Sequence, residues 1–522
     1  MKIDTSVIFL SPRSVSLIID DGGIYNTKEE YSVFLNGELK TKTDRTVVSI
    51  YDLEPATNYE AEVKNASGDV VGSLSFLTKD ELLTINVMDL GAHGDGSADD
   101  TPYIQAAIMA CPKGGRVLIP EGEYLFTSIF LNSGINLEIA KGAHLKADTR
   151  REVRVHFPGS IPTTNPNDDE YHLGSWEGNP TPMFAGLLTG INVEDVCVYG
   201  QGTIDGCAST DNWWFEPKKM NVAYRPRLIF LNHCKDIQFQ GITVTNSPSW
   251  TIHPFFSDDL KFCDMNVINP KVSPNTDGLD PESCERVDIV GVHFSLGDDC
   301  IAVKSGKIYM GLKYGKPSND IHVWQCLMEN GHGAVTLGSE IAGGVTNMTI
   351  EKCLFNSTDR GLRIKTRRGR GKNCFLDNIT FRDIVMDNVL NPFTGNMFYF
   401  CDPDGHEEYV QSREPYPVDE RTPKLGILKF ENIKATNAHV SAAYFAGLPE
   451  SKIEAVIFNN VDISFAKECE SGVPIMCDAV SEMSRCGIHV ENAKSLILDN
   501  VRVTGYDGEE LTLIGVDSYE RR

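Results

Sequence analysis

The 522-residue sequence has no cysteine before Cys111 and no CxxC pair among its fourteen cysteines. A zinc ribbon is therefore excluded, and a disulfide framework is not expected in a chain long enough to bury a core without staples. No window approaches about 18 consecutive apolar residues, so there is no candidate membrane-spanning helix. The N-terminal stretch lacks an apolar run followed by a small-residue cleavage site. A cytoplasmic protein is expected, or an exported one whose leader has been trimmed. Positive charge is scarce: 48 Lys+Arg face 73 Asp+Glu, a formal net charge of −25. That balance opposes partnership with nucleic acid or an anionic membrane, and at first sight with any polyanion. What is plentiful is glycine (45 residues) and apolar side chains (41%), enough for a large core with many turns.

Residues 1–80 differ from the rest. They read as short strands at 16–19, 31–35, 46–51, 59–63 and 71–77, separated by turns such as Asn36-Gly37 and Ser67-Gly68-Asp69. This is the pattern of a small β-sandwich. Leu53-Glu54-Pro55-Ala56-Thr57-Asn58-Tyr59 resembles the L-x-P-x-T-x-Y signature of fibronectin type III modules, although the buried Trp usual there is missing. The resemblance implies a Tyr59 packed at a corner with its hydroxyl on backbone. Thr78-Lys79-Asp80-Glu81 is the expected linker, with a second domain over 82–522.

That second domain carries a repeat. A phrase with apolar residues at positions 1, 3, 6 and 8 begins at Ile237, Leu260, Val287, Ile321, Met348, Ile379, Leu428, Val456 and Leu496. The spacings are 23, 27, 34, 27, 31, 49, 28 and 40 residues. Short alternating strands recurring at about 25 residues describe a β-solenoid, an all-β parallel β-helix. The longer spacings are coils with inserted loops, which build a binding face. Cys326 and Cys353 share position 6 and should stack inside as small apolar residues. Asp100 and Thr101, followed by Pro102, open a capping helix with Ile104 and Ile108 on its apolar stripe. The glycine-rich stretch 90–96 before it leads into the solenoid. Trp213, Trp214 and Trp250 read equally as core or as sugar-stacking aromatics.

Four clusters carry chemistry: Asn275-Thr276-Asp277-Gly278, Gly297-Asp298-Asp299, Gly331-His332-Gly333 and Arg363-Ile364-Lys365. Asp277 and Asp298 are 21 residues apart, close to one coil, which puts them on one face at about the 5 Å strand spacing. Three carboxylates this close cannot all ionise freely, so at least one pKa should rise. A carboxylic acid beside a carboxylate suits glycosidic cleavage: one protonates the leaving oxygen, another activates water or attacks the sugar. A divalent cation held by the Asp residues and His332 is the competing chemistry, opposed by the positive charge that Arg363 and Lys365 already supply.

With these motifs in this order, residues 82–505 resemble the polygalacturonases of glycoside hydrolase family 28. The 91–122 cap and the Arg225-Pro226-Arg227 and Asn246-Ser247-Pro248 segments add to the likeness. The resemblance implies a right-handed parallel β-helix, no metal or other cofactor, and hydrolysis of the α-1,4-galacturonosidic bonds of polygalacturonate or oligogalacturonides. It implies Asp298 as general acid, with Asp277 and Asp299 positioning and deprotonating water for an inverting reaction. His332 would support the acid, while Arg363 and Lys365 would bind a substrate carboxylate. Asn275 belongs to the same motif set. Inverting sites ordinarily separate their carboxyl groups by roughly 6.5–9.5 Å.

The loop at 305–318 and the weakly periodic segments 150–190 and 391–424 are expected to wall one end of the groove. Together with the N-terminal module, which resembles that of bacterial exopolygalacturonases, they point to exo action. Lys304 and His253 are the candidate terminal-sugar contacts. A cytoplasmic exo-enzyme would trim imported oligogalacturonides. Competing functions are an endo-acting or rhamnogalacturonan-type hydrolase, a calcium-dependent pectate lyase, and a non-catalytic carbohydrate-binding β-helix. Finally, seven of the thirteen residues 360–372 are basic and none is acidic: Arg360, Arg363, Lys365, Arg367, Arg368, Arg370 and Lys372. This cluster is expected to face the catalytic groove and to offset locally the global negative charge.

Overall fold

A computed structural model describes residues 2–165 and 168–522. The N-terminal unit is a sandwich of two antiparallel sheets. One holds Asp4–Leu10, Val15–Asp20 and Val47–Ile50; the other holds Glu38–Arg45, Asn26–Leu35, Asn58–Lys64 and Val70–Leu77. Inward residues of alternating strands, among them Val15, Leu17, Ile19, Val33, Leu35, Ala61 and Val63, form its core. Tyr59 stacks on Phe76, and its hydroxyl accepts a hydrogen bond from the Glu54 N–H at 3.0 Å, the corner contact expected of that motif. Two strands escaped the sequence reading, Asp4–Leu10 and Glu38–Arg45. Both are sheet edges, and Glu38–Arg45 has no buried residue, so no apolar alternation marks it.

The rest is the right-handed parallel β-helix. All nine phrase anchors stack in one register: Ile237 pairs with Leu260, that with Val287, then Ile321, Met348, Ile379, Leu428, Val456 and Leu496. Position 3 forms a parallel ladder running from Phe239 through Phe262 to Phe458 and Leu498. Cys326 and Cys353 are fully buried free thiols on consecutive coils. Register is strict because a one-residue slip would turn each of these side chains outward.

The helix Thr101–Ala110 caps the N-terminal end and buries Ile104, Ala107 and Ile108. Asp100 sits at its N-cap, yet its carboxylate turns back to accept from the His93 and Gly94 N–H groups, at 2.7 and 3.0 Å. It thereby ties the glycine-rich lead-in to the cap. A second parallel sheet lines the opposite wall. It runs from Ile252–Phe255 through bridges at Leu279 and Glu282 to Ile301–Val303, Val335–Gly338, Arg360–Lys365, Asn391–Asn396, Ser441–Ala446 and Cys486–Glu491.

The expected loops need one correction. Segment 150–190 contains three small antiparallel ladders, and 305–318 contains the short helix Ile308–Lys313. Asn391–Asn396, in contrast, is a fully buried strand, so the third insertion begins only at 397. Its Asn391, Thr394 and Asn396 are polar but satisfied internally, which hid the strand from an apolar pattern.

Candidate active site

The site grows on the second sheet, where four successive coils begin their strands. The Leu279–Ile301 bridge lies two residues after Asp277 and Asp299, and the Gly278 N–H donates to the Asp299 carbonyl at 3.0 Å. The coil partner of Asp277 is thus Asp299, with Asp298 one residue off the rung. The next rungs follow through Cys300 N–H to Gly333 O (2.8 Å) and Ala334 N–H to Arg360 O (2.8 Å). Gly331 and Gly333 are obligatory for this stacking. A Cβ on Gly331 would lie 2.7 Å from Cys300 Sγ, and one on Gly333 would lie 2.9 Å from Asp299 Oδ1.

Asp277, Asp298 and Asp299 each bring one oxygen to within 4.8 Å of the others. The nearest-oxygen spacing is therefore shorter than the wide gap expected of an inverting site, and it suits a water gripped by two carboxylates at once. Asp299 is fully buried, with Arg363 Nη1 at 3.0 Å on one oxygen and Lys365 Nζ at 2.8 Å on the other. Burial alone would raise its pKa, but Lys365 and Arg363 outweigh that and hold the carboxyl far below the usual range. These two cations already neutralise the charge that a bound metal ion would otherwise balance.

Asp277 behaves oppositely. Burial first, and then the charge of Asp298, push it up to about 7 against the pull of Lys304. Asp277 and Asp298 thus stand as a pair in which Asp277 holds its proton up to near neutrality. Asp298 is the more accessible member, half-buried, with its Oδ1 accepting the Asp299 N–H. His332 is exposed on the rim, and its Nδ1 lies 2.7 Å from Asp359 Oδ2. That hydrogen bond raises the imidazole pKa, against burial and with the help of Asp298.

A cavity of about 420 Å³ opens onto Asp277, Asp298 and His332, while Asp299 is not among its lining residues. Asn275, Asp277, Asp298, His332, Arg363 and Lys365 all line it. The Asn275 Oδ1 accepts from Arg225 Nη2 at 2.9 Å. One expected contact is corrected, and a second is seen to be already engaged. His253 is fully buried beneath Trp250, between Arg227 and Glu282 (2.8 Å), and does not line the cavity. Lys304 reaches the cavity wall, but its ammonium is spent on Glu340 (3.0 Å), the Gly338 carbonyl (3.0 Å) and Asp277 (3.6 Å). Lys304 thus lines the cavity, as expected of it, and is at the same time a buried counter-charge to the acids.

The basic cluster divides. Arg360, Arg363 and Lys365 line the cavity, while the buried guanidinium groups of Arg367, Arg368 and Arg370 pair with Asp404, Glu450 and Asp402. They pin the 397–424 insertion in place instead of meeting solvent or ligand. Trp250 lines the cavity, whereas Trp213 is core, edge-on to Phe184. Reading the sequence missed Asp280, Glu340 and Asp359. Asp280 and Asp359 stood three or four residues from named motifs; nothing local marked Glu340.

The far wall is composite. Glu177 comes from the 150–190 segment, Lys307 from 305–318, and Tyr399, Cys401 and Asp402 from the third insertion. Lys307 Nζ bridges Asp402 (3.0 Å) and Glu177 (4.0 Å), and its N–H donates to the Gly178 carbonyl at 2.9 Å. On the other side Asn275 and Asp298 also border an open depression with Pro217, Lys218, Lys219 and Pro274.

Comparison with known proteins agrees with this geometry. The family profile "Glycosyl hydrolases family 28" matches residues 138–483, and "Rhamnogalacturonase A/epimerase, pectate lyase-like" matches residues 84–144. A probable polygalacturonase of Vitis vinifera is 30% identical over 410 residues, 76% of this chain and 78% of that one. An endo-polygalacturonase of Pectobacterium parmentieri is 29% identical over 324 residues, covering 58% of this chain and 73% of its own. The fold is shared with a family 28 exopolygalacturonase of Yersinia enterocolitica, with TM-score 0.69 and 17% identity over 100% of this chain and 98% of the other. A β-helix whose cavity carries an acid pair and a rim histidine, with a clamped third carboxylate beside the pair, matched by that profile over most of its length, belongs to glycoside hydrolase family 28, the polygalacturonases.

Proposed function

We propose that this enzyme hydrolyses α-1,4-linked galacturonate chains from one end, by direct attack of water. The observation that carries end-attack is the Glu177–Lys307–Asp402 bridge. It joins three insertions into a wall on one side of the catalytic cavity, while the other side opens past Asp298. A chain terminus fits against such a wall; the middle of a polymer does not.

In this reading Asp298, at the open side, protonates the leaving oxygen. Asp277 and Asp299 hold the attacking water between them, and Asp277 takes its proton. Asp299 cannot serve as a nucleophile toward sugar, because it is fully buried with both oxygens engaged. Asp277 is nearly as buried. Inversion at the anomeric carbon follows from displacement by water. Arg360, Arg363 and Lys365 supply the positive face for a uronate carboxylate.

Product analysis on polygalacturonate, with chelator present, tests the reading. Mono- or digalacturonate from the first time points supports end-attack. An early ladder of oligomers means internal cleavage, and an unsaturated product means a lyase. The anomer first released, read by proton NMR, decides between inversion and retention.

A further inference from the structure

The loop 466–485 joins the strand Ile453–Phe465 to the strand Cys486–Glu491. Gly472 and Met483 close its neck, each donating its N–H to the other's carbonyl, at 3.0 and 2.9 Å. From there the tip turns back past two intervening strands, Ser441–Ala446 and Asn391–Asn396, to reach Arg360–Lys365. Arg360 donates from Nε to the Pro474 carbonyl at 3.1 Å and from Nη2 to the Val473 carbonyl at 3.0 Å. Arg363 donates from Nη2 to Met476 Sδ at 3.3 Å, while its Nη1 holds Asp299. Met476 lines the catalytic cavity together with both arginines. The tip is itself anchored. Ile475 is buried in the β-helix core, Asn396 donates to the Met476 carbonyl at 2.9 Å, and the Asp478 N–H donates to the Gln411 side chain at 3.1 Å.

These acceptors are two carbonyls and a thioether. They fix the plane of a guanidinium but take none of its charge. Among the described residues no carboxylate lies within ion-pairing distance of Arg360, and Arg363 pairs with Asp299 alone. Arg367, Arg368 and Arg370 of the same basic run are treated differently, since each is answered by a carboxylate. The two arginines at the cavity therefore keep positive charge to spare while their forks are held in place. A carboxylate arriving there meets donors already oriented, so less side-chain freedom is lost on binding. We propose that 473–476 is a specificity-determining segment, which aims Arg360 and Arg363 at a free uronate carboxylate, with Met476 as the positioning residue for Arg363. The proposal rests on the reading of these arginines as the carboxylate site. A methyl-esterified galacturonate brings no charge and gains little from aimed forks.

Met476→Leu keeps the size and removes the acceptor, and Met476→Gln restores an acceptor at similar length. Met476 is only partly buried, so both variants should fold. The experiment measures kcat/KM on trigalacturonate and on its methyl ester, and the parent should prefer the free acid. In Met476→Leu the value for the acid is expected to fall by about 3- to 10-fold, the weight of one modest hydrogen bond. The value for the ester should stay near the parent's, so the preference shrinks. Met476→Gln should return the acid to near the parent's value. Arg360→Lys keeps the charge but loses the fork, and should shrink the preference in the same way. The proposal is overturned if Met476→Leu keeps the full preference, or if acid and ester fall together in it, which is what lost packing would do. It is overturned equally if the glutamine variant is as impaired as the leucine one. Full preference in Arg360→Lys would also sink it, because charge without aim would then suffice. Where the ester is turned over too slowly to time, the leucine loss and the glutamine rescue on the acid decide. A parent that treats acid and ester alike is a separate failure: it refutes the carboxylate reading of the arginines itself, and the proposal with it, whatever the Met476 variants do.

Discussion

At the scale of single residues, environment and not residue type divides the labour among three aspartates. Asp299 is clamped ionised by Lys365 and Arg363, whereas Asp277, nearly as buried, lacks such a clamp and is pushed up by burial and the charge of Asp298. Asp298→Asn is therefore expected to lower kcat on polygalacturonate by about 10²- to 10⁴-fold, the usual range for loss of a general acid. Folding should be intact, as judged by circular dichroism. The pH dependence has a definite sign. Asp277 must be ionised to take the water's proton and is pushed up to about 7, so kcat should fall as pH drops below about 7. A pH–rate profile that stays flat down to about pH 5 would contradict the raised Asp277 value. Arg363→Ala has a double consequence, since the same guanidinium lines the cavity and grips Asp299. It should raise KM and lower kcat together, because truncating one partner of a buried ion pair costs about 2–5 kcal/mol. A change in KM alone would mean that Lys365 suffices to hold Asp299.

At the scale of elements, the sequence disclosed whatever repeats. The nine apolar anchors predicted the stacking of the main sheet residue by residue, because each anchor needs the same neighbour above and below. The catalytic motifs were legible for a related reason: glycines flank the residues that must approach an adjacent coil, as Gly331 and Gly333 do. Partners supplied by insertions were not legible. Nothing in the basic run 360–372 distinguishes Arg363, which faces the cavity, from Arg368, which is buried against Glu450 82 residues away. Likewise Lys304 and Lys307 look alike in sequence, yet one neutralises the acids and the other closes the wall. That wall yields an element-scale prediction. Lys307→Ala removes the bridge between Glu177 and Asp402, so that Glu177 loses its cation while Asp402 keeps only Arg370 and Arg367. The wall should loosen, and early products should shift from monomer or dimer towards longer oligomers, with a faster drop in viscosity per bond cut. An unchanged product pattern would show that the Gly178 backbone contact and the 397–424 insertion close the end without it.

For the molecule as a whole, the question is why a sandwich precedes a β-helix that has its own core and cap. The module docks on the main sheet, away from the catalytic wall, and among the described residues none before Glu177 lines the catalytic cavity. Its Phe9, Ile18 and Val47 cover Cys197, Tyr199, Cys263 and Val290, an apolar stripe on the outside of the coils. Polar contacts fix the register: Gln325 accepts from Tyr25 N–H (2.6 Å), Ser49 donates to Asp264 (2.6 Å), and Lys352 pairs with Asp20 (2.7 Å). An apolar stripe of this kind left open favours association, and the buried partners Gln325 and Asp264 would lose their hydrogen bonds, at about 1–3 kcal/mol each. Deleting residues 2–80 should therefore lower the Tm and promote aggregation, while kcat of the remaining soluble monomer on short oligogalacturonides stays near that of the full chain. A module that instead took part in substrate binding would behave differently: its removal would raise KM, and the loss would grow with substrate length. The −25 charge belongs to the same picture, since the groove answers to Arg360, Arg363 and Lys365 within about one screening length of ~8 Å, and not to the global sum. Raising the salt should then weaken binding of oligogalacturonide by reducing this local attraction. If higher salt instead strengthened binding, long-range repulsion from the acidic surface would outweigh the attraction of these three cations.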